Sequence, residues 1–315
     1  MNKRQKLFVI IIFSTILVAT LSTAYNSTIQ EEATTEKVKV AATFYPLAFF
    51  AKEIGGDKIE IKQLIPDNTE VHDWQPSIQD ILAIEEADII FYNGASLDHW
   101  FEDDILPIID SSNKIIIETT KGITLLETGQ ENNDQEHQGK YDPHTWISPF
   151  IAEQQAQNIY NALIQKDPKN KDYYTEHWQN LKTRLEELDS EYLNELSTKQ
   201  REEIFVSHSA YGYLAYRYNF VQHGVIGISA DEQPSASTYE ELVAMMLEHQ
   251  IFEVYVDPVY SEESAQVLKN ELERLSGHDV KILRLYLMLG KIDNLDYFGQ
   301  QQKNLENLKI GLEAQ

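Results

Sequence analysis

A chain of 315 residues with 42% hydrophobic residues holds enough apolar material for two cores, and its 26 basic against 51 acidic residues leave a net charge of −25. That balance argues against nucleic acid and against an anionic membrane surface as partners, and the surplus acid reads as a solvated surface. Cysteine is absent, which excludes disulfides, thiolate metal sites and a lipid-modified cysteine anchor, so a transition metal here must be held by imidazole and carboxylate.

The N-terminus carries Lys3, Arg4 and Lys6, an apolar run over residues 7–21, and then the small residues Ser22, Thr23 and Ala24. Residues 1–24 therefore read as an export signal, cleaved or kept as an anchor, and the polar residues 25–36 as a tether. Strand-like and helix-like segments then alternate: strand 37–43, helix 47–54, strand 58–65, helix 78–86, strand 89–92, helix 98–109 and strand 114–118. A second series has strands at 204–206, 221–226, 252–256 and 280–285, separated by helices around Tyr211, at 239–249 and at 264–276. Such alternation predicts an α/β fold of two lobes, each a mostly parallel sheet flanked by helices. Between the lobes lie a helix at 151–165 and a long helical stripe formed by Tyr174, Trp178, Leu181, Leu185, Leu188, Tyr192 and Leu196. At ~1.5 Å per residue this stripe reaches ~35 Å, enough to join the lobes. The expected boundaries are an N-terminal lobe over 37–170, a linking helix over 171–200 and a C-terminal lobe over 201–315, with a last helix at 297–312.

Three of the nine histidines stand in marked settings: His72 in the segment from Asp67 to Pro76, His144 in Asp142-Pro143-His144-Thr145-Trp146, and His208 in Phe205-Val206-Ser207-His208-Ser209-Ala210-Tyr211-Gly212-Tyr213. His72 and His208 follow predicted strands, where open α/β sheets place their ligands. Three imidazoles from distant segments suit a tetrahedral zinc site with an exchangeable fourth position. His99, His137, His177, His223, His249 and His278 have no such setting and read as surface or satisfied core residues.

At these residues the chain resembles the metal-binding receptors of ABC-type zinc and manganese uptake systems, the zinc-uptake solute-binding proteins. The resemblance runs in order from the segment Val38 to Pro46, through Glu86-Ala87-Asp88-Ile89-Ile90-Phe91-Tyr92-Asn93-Gly94 and Gly227-Ile228-Ser229, to Glu232-Gln233-Pro234-Ser235. It implies an exported, non-enzymatic receptor that carries zinc as its transported ligand between two lobes and hands it to an ABC transporter membrane permease. It also implies that the long helix is a rigid backbone limiting hinge motion. Manganese receptors of the family tend to place a carboxylate where His208 stands, so zinc is the expected ion and manganese the alternative.

The chain departs from its relatives after the last strand, where Leu285-Tyr286-Leu287-Met288-Leu289-Gly290 contains no acid. The fourth position is expected to fall to Asp293 or to a water, and Asp293 and Asp296 can instead cap the last helix. Trp74 and Trp146 are expected at the core or lobe interface near the ligands. The loop 128–141 occupies the place of a His-rich insert but has only His137. A zinc hydrolase is the competing class, with Glu70 the one acid near a ligand that could be proposed as its general base, but no HExxH pairing or nucleophile motif accompanies it. A surface adhesion protein is a third. A monomer is expected, reaching the membrane only through its signal or anchor.

Overall fold

A computed structural model describes residues 36–128, 140–228 and 234–315; the expected signal and nearly all of the tether, and most of the 128–141 loop, lie outside the described residues. Strands β1 (Val38–Ala42), β2 (Ile59–Gln63), β3 (Ile89–Tyr92) and β4 (Ile115–Glu118) form one parallel sheet in the order β2-β1-β3-β4. Strands β5 (Glu203–His208), β6 (Val221–Ile226), β7 (Glu253–Val256) and β8 (Lys281–Arg284) form a second in the order β6-β5-β7-β8, also parallel. Parallel neighbours need crossover helices that cover both faces, which is why β3 and β7 are buried along their whole length.

The helices start where local chemistry favours a start. Helix α1 (Tyr45–Gly55) has Pro46 in its first turn, where a missing N–H costs nothing. Helix α2 (Ile78–Glu86) opens on a reciprocal capping box between Ser77 and Asp80. Helix α3 (Pro149–Lys166) ends at Asp167, and Pro168 separates it from α4 (Lys171–Glu195). The 25 residues of α4 reach ~37 Å, and Tyr174, Trp178, Leu181, Leu185, Leu188 and Tyr192 are buried along one face. Helices α5 (Gly212–Tyr218), α6 (Ala236–His249) and α7 (Glu263–Ser276) cross over in the second lobe, and α8 (Tyr297–Gly311) closes the chain.

One expected element takes another form. In place of a regular helix over 98–109, Trp100–Ile105 forms a short, wider coil, with Leu106 N–H donating five residues back to Phe101 (2.8 Å). Pro107 has no N–H with which to continue a regular helix. Buried Asp98 fixes the entry by accepting the Gly94 N–H at 2.9 Å.

A continuous core joins the lobes. It takes in β1 and α1, the buried face of α4, Ile204 and Val206 of β5, the segment Leu285–Leu289 and the apolar side of α8. Trp146 Nε1 donates to the carbonyl of Leu287 (2.7 Å), Tyr297 donates to the carbonyl of Trp146 (2.7 Å), and Gln301 donates to Ile147 (2.7 Å). Trp146 thus sits at the expected lobe interface, whereas Trp74 packs edge-on against Trp100 at 4.8 Å.

Candidate metal centre

His72 lies on the loop between β2 and α2. That loop is pinned to the other lobe: Asn68 N–H donates to Leu289 (2.9 Å) and its side chain to Lys291 (3.0 Å). The approach is close enough that a Cβ on Gly290 would come 2.5 Å from the Asp67 side chain and 2.7 Å from the Asn68 nitrogen, so only glycine fits there. Within the loop, His72 N–H donates to Glu70 Oε1 at 2.7 Å.

His144 is 1% exposed. Asp142 Oδ1 accepts both its backbone N–H (2.9 Å) and its ring Nδ1–H (2.9 Å), an Asx turn that also fixes the tautomer. Nε2 is thereby left unprotonated, its lone pair on the side of His72 Nε2 at 3.3 Å. Asp142 is itself held by Tyr213, whose hydroxyl donates to its carbonyl at 2.8 Å, and Asn93 secures Pro143 at 2.9 Å. Gly212 leaves room for the carboxylate, since a Cβ there would lie 2.4 Å from Oδ2.

His208 ends β5 at 3% exposure. Its Nε2–H donates to the carbonyl of Ile228 (2.8 Å), which leaves Nδ1 buried with no hydrogen-bond partner. Tyr260 packs edge-on against the ring at 5.4 Å.

The three rings lie 5.0–6.0 Å apart between centroids, and one nitrogen from each falls within 4.8 Å of the others. Two nitrogens bound at ~2.0–2.1 Å to a tetrahedral zinc sit ~3.4 Å apart, close to the observed 3.3 Å between His72 and His144. Burial holds His144 well below the ordinary histidine range, with His72 adding to the effect. Burial, with His144 next, pushes His208 down to about 3. Both rings are therefore uncharged at neutral pH, the form that binds metal. Burial pushes Asp142 up to about 7 against the hydrogen bond from His144.

The structure brings the three predicted histidines together and leaves Asp293 out of the group. The Asp293 carboxylate is bound by Arg284 Nη1 (2.9 Å) and the Tyr286 hydroxyl (3.0 Å). Asp296 caps α8, accepting the Gly299 N–H at 2.9 Å. Glu70 gives one oxygen to the His72 N–H; its other oxygen is buried without a hydrogen-bond partner. The residue that sequence reasoning missed is Asp142 as the group that orients His144. Its signal is an Asp two residues before a His, the spacing of an Asx turn, and the pairing with the ring follows from the same turn.

A two-lobe α/β protein with three converging imidazoles, two of them buried and one half-buried, defines a class, the metal-binding proteins that hold an ion between lobes. Within it, this chain belongs to the family of the zinc-uptake complex component A, whose profile matches residues 40–311. It is 30% identical over 290 residues to the high-affinity zinc uptake system protein ZnuA of Bacillus subtilis (strain 168), covering 88% of each chain. The laminin-binding protein Lmb of Streptococcus agalactiae, described as a bifunctional protein with adhesin and metal transporting activity, matches with a TM-score of 0.78 at 27% identity, over 88% of this chain and 100% of that one. The Zn(II)-bound ZnuA-like domain of Streptococcus pneumoniae AdcA matches with a TM-score of 0.73 at 27% identity, over 88% and 100%.

Proposed function

We propose that the protein is an extracytoplasmic zinc receptor that captures the ion with His72, His144 and His208 and delivers it to an ABC-type uptake permease. The observation that carries this reading is the convergence of three imidazole donors within 4.8 Å in a mostly buried setting. Neutral imidazoles suit zinc better than manganese, which prefers oxygen. Each ligand comes from a different part of the fold: His72 from a loop of the first lobe, His144 from the turn before α3, and His208 from the end of β5. Asp142 orients His144 and supplies negative charge behind the ion, as the outer partners of zinc-bound histidines do. We assign the fourth position to a water, because Asp293 is already bound by Arg284 and Tyr286.

The reading favours a receptor over a hydrolase. Glu70, the acid the sequence offers as a general base, has one oxygen tied to the His72 backbone, and a receptor needs only an exchangeable ligand where a hydrolase needs a free base. In this proposal the N-terminal lobe spans 37–170, the linking helix 171–200 and the C-terminal lobe 201–315. The monomeric protein is exported, with residues 1–24 as a signal or anchor, and among the described residues no helix is long and apolar enough to cross a membrane. The core shared across α4 and α8 resists hinge opening, so release depends on local movement of the His72 loop. Elemental analysis of protein purified without chelator, with zinc and manganese then competed against each other, tests the assignment. One tightly held zinc per chain is expected; preferential retention of manganese would overturn it.

A further inference from the structure

Glu203, His223 and His249 form a second cluster of metal-ligating side chains, at the opposite end of the second sheet. Glu203 opens β5 and His208 closes it, which puts the cluster ~16 Å from the triad at ~3.3 Å per residue. In the parallel register Glu203 pairs with Val221 and Phe205 with His223, so Glu203 and His223 share the face covered by α6, and His249 is the last residue of that helix. The His223 ring is stacked on Phe205 at 5.0 Å, which seats it beside the carboxylate. His223 Nε2 lies 3.7 Å from Glu203 Oε1, and His249 Nδ1 is in contact with Oε2.

Nothing else neutralises this carboxylate: its ion pairs among the described residues are to these two imidazoles alone. Burial lowers His223, so at neutral pH it carries no charge with which to pair. His223 Nε2 is buried and lacks a hydrogen-bond partner, its nearest acceptor being Glu203 Oε1 at 3.7 Å. Buried polar atoms are rarely left so, and an imidazole nitrogen facing a carboxylate beyond hydrogen-bond distance leaves room for a shared partner. The 3.7 Å separation is near the ~3.4 Å between two ligand atoms that share a tetrahedral zinc. The cluster is looser than the triad, and turning the exposed His249 ring would complete it.

We propose that Glu203, His223 and His249 form a second, weaker site for a borderline divalent transition metal, zinc first, with water in the remaining position. Two imidazoles and one carboxylate match that class of ion and are poorly suited to calcium or magnesium. An ion here ties β5, β6 and the end of α6 together on the outer side of the lobe, away from the triad. Because one exposed side chain must be ordered on binding, its affinity is expected to be at least about tenfold below that of an otherwise equal preformed site.

Equilibrium dialysis of the full chain against zinc, followed by elemental analysis, tests this directly. Two bound ions are expected, one tight and one weaker. His249→Ala, at an exposed helix end where the fold is safe, should lose the weaker ion and keep the tight one, and Glu203→Gln should do the same. His144→Ala should show the reverse, so failure of the triad and failure of this site give different results. Saturation of the wild-type chain at one zinc, or a His249→Ala protein that still binds two, overturns the proposal.

Discussion

Asp142→Asn removes the charge behind His144 and leaves the shape unchanged. The amide oxygen still accepts the His144 N–H and ring Nδ1–H, both 2.9 Å in the native protein, and the amide nitrogen takes the place of the oxygen that packs on Gly212. What is lost is the negative charge that stabilises a dication on Nε2. Loss of an outer partner of this kind lowers metal affinity by about 10- to 100-fold, or ~1.4 to ~2.7 kcal/mol. The pH dependence carries a sharper signature. Burial pushes the Asp142 carboxyl up to about 7 in the metal-free protein, so above that pH it is already ionised when zinc arrives. Below it, zinc must expel the carboxyl proton, and wild-type affinity falls by up to about tenfold per pH unit from this group alone. The Asn variant has no such proton. The gap between the two proteins should therefore be full at pH 8 and about tenfold smaller at pH 6. Competition titration against a chromophoric chelator at both pH values measures it. Equal affinities at pH 8, or a gap that does not narrow at pH 6, would refute the role given to Asp142.

Asp293→Ala should change zinc affinity by less than about twofold in the same titration, since Arg284 and Tyr286 already hold that carboxylate; a hundredfold loss would make Asp293 a ligand. In the metal-free protein, His208 sits at about 3 against ~6.5 unfolded, so it destabilises the fold increasingly as pH falls from ~6.5 toward ~3. Asp142 has the opposite sign: with a folded value of about 7 against ~3.9, it costs nothing below ~3.9 and destabilises increasingly as pH rises toward ~7. Removing that offset in Asp142→Asn should make metal-free stability fall more steeply than wild type between about pH 6.5 and 4, as read by urea unfolding at each pH. Trp146→Phe leaves the buried Leu287 carbonyl without its 2.7 Å donor and should cost about 1–3 kcal/mol in the same assay. Zinc should raise the melting temperature with little change in radius of gyration, and a large contraction in small-angle scattering would count against the shared core as a brace.

Local chemistry made much of this fold legible in the sequence. The capping box of Ser77 and Asp80 places α2 at the residues the pattern predicts, and the three- and four-residue spacing from Tyr174 to Tyr192 is the buried face of α4. The alternation of apolar strands with amphipathic helices requires parallel sheets, because parallel strands need covered faces. Each of the three histidines could be picked out because it lies in a short, marked segment. Where a proline broke a weaker pattern, at Pro107, the expected helix became the short coil Trp100–Ile105.

Other features depend on groups distant in sequence. No local pattern says that Asn68 bonds to Leu289 and Lys291, that Trp146 reaches Leu287, or that the core of the first lobe continues into α8. The same holds for the acids. Asp293, Asp296, Glu70 and Asp142 are equivalent carboxylates in a sequence read for metal ligands, and tertiary contacts assign them: one to Arg284 and Tyr286, one to the start of α8, one to the His72 backbone and one to the His144 ring. Side-chain type and spacing determine which residues are able to bind an ion. Burial and partner choice, which arise only when distant segments pack, decide which of them are uncharged, oriented and near one another.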